Sequence, residues 1–172
     1  MVMKICISGL TASGKTTVSE ALALKMKIKH VQNSYKEHLR GNVNMSGFID
    51  AADEKFVKSF DMKTIEMASK EDCVVSTWLS PWLVKDADLR VWIYADIGTR
   101  IKRYMERETL ASEQEAGKRV SETDDSAIAS FKKFYNIDIN EHSDFDLQIN
   151  TGKISVESAV DIISLALKDK KK

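Results

Sequence analysis

Apolar and polar positions alternate over short stretches and recur at helical spacing over longer ones, and the two patterns take turns along the chain. Residues 3–8 read as a strand rich in Ile and Cys. From Lys15 to about Met26, the residues Val18, Ala21, Leu22 and Met26 give a helix one apolar side. A short second strand covers 29–32, followed by a polar loop with a partial helix over 33–50. The spacing of Val57, Phe60, Ile65 and Ala68 predicts a helix between Asp53 and Ser69. Strands follow at 73–78 and 89–95, then a charged helix from Ile97 to about Glu108. Residues 109–123, rich in Glu, Ser and Lys, read as a polar, mobile segment. A helix over about 124–135 places Ile128, Phe131 and Tyr135 on one face, 145–150 is a last strand, and 156–167 a closing helix before a solvated lysine tail. Strand–helix alternation of this kind favours a parallel sheet covered by helices on both faces. No repeat or linker divides the chain, so the expectation is one domain over residues 1–172.

Composition narrows the function classes. Lys+Arg and Asp+Glu balance at 26 each, which gives no general reason to bind nucleic acid or an anionic membrane surface. The apolar runs fall well short of a membrane span, and the first residues lack the pattern of a signal peptide. Cys6 and Cys73 both sit in strand-like runs, as reduced buried thiols do, so a cytosolic protein is expected. His30, His38 and His142 are scattered, without metal-ligand spacing to either cysteine.

One motif carries chemistry. Gly9-Leu10-Thr11-Ala12-Ser13-Gly14-Lys15-Thr16 fits G-x-x-x-x-G-K-[ST] without a gap, between a strand and a helix. The glycines let the loop curl so that backbone N–H groups converge on phosphate oxygens, and the helix that follows adds its positive end. Lys15 is expected to reach the β- and γ-phosphates of ATP, Thr16 to ligate Mg²⁺, and Thr17 to bond the α-phosphate. The guanine box of switch GTPases and the Asp-Glu strand end of motor ATPases are both missing, which leaves a small phosphotransferase.

Two further runs resemble the nucleoside monophosphate kinase family, most closely the archaeal type of cytidylate kinase. They are Leu89 to Glu108, and Phe131 to Ile139 followed by Phe145-Asp-Leu-Gln-Ile-Asn-Thr151. The resemblance implies a three-layer P-loop NTPase-type fold with a five-stranded parallel sheet, an acceptor-binding segment at about 33–70 and a small lid at about 108–130. It implies transfer of the ATP γ-phosphate to a nucleoside monophosphate, CMP or dCMP in the first place.

Arg100, Arg103 and Arg107 share one side of their helix, and the resemblance places Arg103 and Arg107 on the donor nucleotide, completing a catalytic set with Lys15. Ser34, Lys36 and Arg40 lie where the family binds its acceptor. Members usually carry Glu-Gly-Arg after the third strand, with the Arg on the acceptor phosphate; here Trp78 stands in that place. The stretch Thr123–Ser130 likewise lacks the family's lid arginines, and Asp96 reads as a helix N-cap. A nucleoside or other unphosphorylated acceptor therefore stays open, as does a non-catalytic ATP-binding module.

Overall fold

The computed structural model describes residues 2–35 and 44–170. Five strands, β1 (Lys4–Ser8), β2 (Lys29–Val31), β3 (Cys73–Ser76), β4 (Leu89–Tyr94) and β5 (Leu147–Asn150), form one sheet in the order β2-β3-β1-β4-β5. All four pairings are parallel, with Ile5 opposite Val74 on one side and Leu89 on the other. Around them lie α1 (Lys15–Met26), α2 (Met45–Ala51), α3 (Glu54–Ala68), α4 (Ser80–Leu83), α5 (Ile97–Glu108), α6 (Glu113–Tyr135) and α7 (Val156–Lys170). After β1 the chain builds β2 and β3 on one side and only later β4 on the other. The carboxyl end of β1 is thus a switch point, where open α/β sheets gather ligands.

Alternation within the strands divides the core. Ile5, Ile7, Val91 and Ile93 face α1 and α7, packing with Val18, Leu22, Ile163 and Leu167. From the other face Trp92 joins an aromatic cluster with Tyr35, Phe60 and Phe131, while Cys6 and Val75 pack with Val31 and Ala68. Both cysteines are buried and free. Among the described residues no helix is long and apolar enough to cross a membrane.

The helix ends follow from local chemistry. Asp53, Asp96 and Ser112 accept from the amides of Phe56, Thr99 and Glu115, so α3, α5 and α6 each start at a side-chain cap. Asp96 is therefore the N-cap expected of it. Two segments differ from their sequence reading, and in the first, residues 109–123, the chain is largely helical. Thr109 closes α5 in the left-handed region at φ 54°, and α6 then runs 23 residues without a break. Its buried stripe is Ala116, Val120, Thr123 and Ala127, whose small side chains leave little periodic signal among the surrounding charges. The strand expected through Trp78 ends at Ser76, because Thr77 Oγ1 accepts from Ser80 N at 2.9 Å and starts α4, with Pro81 in its first turn.

Candidate active site

The loop from Gly9 to Gly14 leaves β1 at the switch point. A side chain at Gly9 would put its Cβ 2.2 Å from the carbonyl oxygen of Ile93, so only glycine passes β4 at this distance. Ala12 at φ 58° and Gly14 at φ 93° both lie in the left-handed region and curl the loop back on itself. The Val18 amide makes the helical bond to Gly14 O at 3.0 Å, so the amides just before it precede the intrahelical ladder of α1. Thr11 Oγ1 and Ser13 Oγ are buried with no partner among the described residues. Lys15, at the start of α1, has its pKa lowered to about 8. Burial is the main cause; Asp124 opposes it, while Arg107 and Arg100 add to it. The amides ahead of the α1 ladder, the unpartnered hydroxyls and the crowded cations together form a site that an anion relieves.

Four residues hold this loop from outside. Asp124, on α6, accepts from the Thr11 amide at 2.9 Å through Oδ1 and from Arg100 Nη1 at 2.6 Å through Oδ2. Arg100 Nη1 also donates to Thr11 O at 3.1 Å, and the two side chains are only 11% and 8% exposed. Arg103 reaches behind the loop to Ser13 O at 3.3 Å and to Thr151 Oγ1 and O at 3.0 and 2.7 Å. The Thr151 hydroxyl closes the set on Ser13 O at 2.6 Å.

A cavity of about 890 Å³ opens beside the loop. One half is walled by residues 11–18, by Arg103, Tyr104 and Arg107 of α5, and by the turn after β5. Arg107 lies over the Tyr104 ring at 4.9 Å and donates to Glu108 at 2.8 Å. The other half is aromatic: Tyr35 lies 4.4 Å from Phe60 and 6.4 Å from Trp78, whose ring is 5.8 Å from Phe131. Trp78 also sits beneath Lys15, with Nζ 5.6 Å from the ring centre. Asp61 lines this wall and takes a hydrogen bond from the Tyr135 hydroxyl at 2.6 Å. Asn33, which follows β2, fixes the turn of α3 that carries Asp61 by donating to Phe60 O and Thr64 Oγ1, both at 3.1 Å.

A sequence model of the cytidylate kinase-like family matches residues 29–153, a span that begins downstream of the phosphate loop. The chain belongs to this family. Cytidylate kinase of Archaeoglobus fulgidus is 35% identical over 98% of this chain and 97% of its own length, and that of Methanoregula boonei 30% over 99% and 97%. Among solved structures, an uncharacterized protein from Eubacterium ventriosum superposes with a TM-score of 0.74 at 21% identity, over 96% of this chain and 98% of that one. Shikimate kinase from Acinetobacter baumannii superposes with a TM-score of 0.60 at 14% identity, over 100% and 97%, a likeness of fold.

Within this cytidylate kinase-like chain the structure gathers Lys15, Thr16, Thr17, Ser34, Trp78, Arg103 and Arg107 around one cavity. Lys36 and Arg40 lie outside the described residues. Thr16 Oγ1 stands 3.5 Å from Gln32 Nε2 at the cavity edge. Sequence reading gave no site role to Asp124, Thr151, Asp61 or Tyr135. Their partners stand 113, 138, 74 and 74 residues away, so no local spacing announces them.

Proposed function

We propose that the chain transfers the γ-phosphate of ATP to a pyrimidine nucleoside monophosphate, CMP or dCMP. The observation that carries this is one cavity bounded by the curled phosphate loop on one side and a stacking wall of Tyr35, Phe60 and Trp78 on the other. The near-full-length likeness to cytidylate kinases supports the choice of acceptor.

In this reading the loop amides and Lys15 hold the β- and γ-phosphates, which fixes the donor and spreads the charge that develops on the transferring group. Arg107, at the cavity mouth, adds a second cation. Arg103 holds the loop's shape through Ser13 and Thr151. Thr16, whose hydroxyl lines the cavity at the start of α1, would hold Mg²⁺ together with a bound phosphate. When bound, it offsets phosphate charge. Transfer to a phosphate oxygen places little demand on a general base, so positioning carries the reaction.

Trp78 favours a second reading, an unphosphorylated acceptor, because an indole and not a guanidinium faces Lys15. Initial rates of ADP release with CMP, dCMP, UMP, AMP, cytidine and uridine separate the two. The proposal expects CMP or dCMP to lead the panel; a nucleoside in the lead transfers the assignment to the second reading.

A further inference from the structure

The aromatic half of the cavity contains one carboxylate among its described lining residues, Asp61; the other lining acid, Glu106, lies on α5 beside the phosphate loop. The lining cations Lys15, Arg103 and Arg107 all belong to the loop half. Asp61 is 8% exposed, and Tyr135 occupies its Oδ2 from α6. Its Oδ1 meets no donor among the described residues. Asp61 follows Phe60 in α3, and the rings of Phe60, Tyr35 and Trp78 succeed one another at 4.4 and 6.4 Å before Lys15 is reached 5.6 Å above Trp78, which sets Asp61 at the far side of the aromatic wall from the lysine.

Oδ1 is not among the sealed, unpartnered atoms, so this oxygen of a largely buried carboxylate stays accessible and can take a donor from a ligand in the cavity. A phosphate cannot supply one, since two anions would meet in a poorly solvated wall. We infer that Asp61 determines acceptor specificity by accepting a hydrogen bond from the exocyclic amine of the acceptor's base, selecting cytosine against uracil. The inference rests on the pyrimidine acceptor proposed above. Cytosine presents an N–H donor where uracil presents a carbonyl oxygen, so the uracil ring would set an acceptor against an acceptor. A site built to take a hydrogen bond rejects the analogue that cannot give it, because its own polar group is then left unpaired.

The test compares kcat/KM for CMP and UMP, with cytidine and uridine in parallel, in the wild type, Asp61→Asn and Asp61→Glu. The wild type is expected to prefer the cytosine member by roughly 10-fold or more, the ratio a hydrogen bond to a charged group supports. Asp61→Asn, whose amide can turn an N–H toward the uracil oxygen, should bring the ratio within about 3-fold while still using UMP. Asp61→Glu displaces the oxygen by one methylene and should lose activity on CMP without gaining it on UMP. Melting curves with and without MgATP check that each variant is folded with its donor site intact. An unchanged ratio in Asp61→Asn, a wild type indifferent to the base, or equal losses on both bases (the mark of a sugar or packing role) overturns the inference. If MgATP raises the wild-type melting temperature but no pyrimidine acceptor yields ADP, the acceptor assignment itself has failed and takes this inference with it.

Discussion

Replacing Asp124 by alanine should loosen the phosphate loop and the fold together. The carboxylate satisfies the Thr11 amide and Arg100 Nη1 at once, in a place where both charged side chains are nearly excluded from water. Truncation leaves a buried guanidinium unpaired and a loop amide without its acceptor. Breaking a buried pair in this way costs about 3–5 kcal/mol. For a domain of this size each kcal/mol moves the midpoint by roughly 2–4 °C, so thermal unfolding should fall by about 6–20 °C. MgATP should recover less of that loss than it adds to the wild type, because the loop must be re-formed before it can bind. Removing Arg100 as well should cost less than the sum of the two single changes. The exposed pair Lys25–Asp161 is the control, with 51% and 60% of the side chains open to water; Lys25→Ala should cost at most about 1 kcal/mol. The measurement is circular dichroism melting with and without MgATP. If Asp124→Ala loses under about 1 kcal/mol and binds MgATP as the wild type does, the clamp has no such role.

Lys15→Ala should reduce acceptor-dependent ADP release by at least about 100-fold and abolish the MgATP-induced rise in melting temperature, since the loop loses its only lysine. Gly9→Ala should destabilise the chain by roughly 2 kcal/mol or more and weaken ATP binding, because its Cβ meets the Ile93 carbonyl at 2.2 Å; urea unfolding reads the first effect and calorimetry the second. Asp61 should make stability depend on pH. Burial raises its pKa from 3.8 to about 6, so between these values the folded chain keeps a proton that the unfolded chain has released. Stability from this group is full below pH 4 and is lost as pH rises through 6, to the extent of about 3 kcal/mol. Urea midpoints at pH 4.5 and 7 should therefore converge less in the wild type than in Asp61→Asn, and equal pH dependence in the two proteins would refute the assignment.

Legibility from sequence tracked how local each feature is. The central strands β1, β3 and β4 were readable because buried parallel strands are short apolar runs, the edge strands β2 and β5 from briefer alternation, and the phosphate loop because its chemistry demands contiguous residues. The first half of α6 escaped because its core side is made of Ala116, Val120 and Thr123 and the rest is charged. Arg100, Arg103 and Arg107 were visible as one stripe, but their division of labour was not. Arg100 turns inward to Asp124, Arg103 backward to Ser13 and Thr151, and only Arg107 stands over an aromatic ring at the mouth. Those roles depend on α5, α6 and β5 converging on the loop, which no spacing along one helix encodes. The aromatic wall was half legible. Trp78 stood out where an arginine was expected, whereas Asp61 looked like any charged residue on an amphipathic helix.

Phosphorus NMR of the wild type with MgATP and CMP tests the central claim most directly. Phosphoryl transfer predicts that the γ-phosphate signal of ATP disappears while the signals of ADP and CDP rise in equal amounts, with none of this in Lys15→Ala. ATP that stays intact, or that yields ADP and inorganic phosphate without CDP, contradicts it.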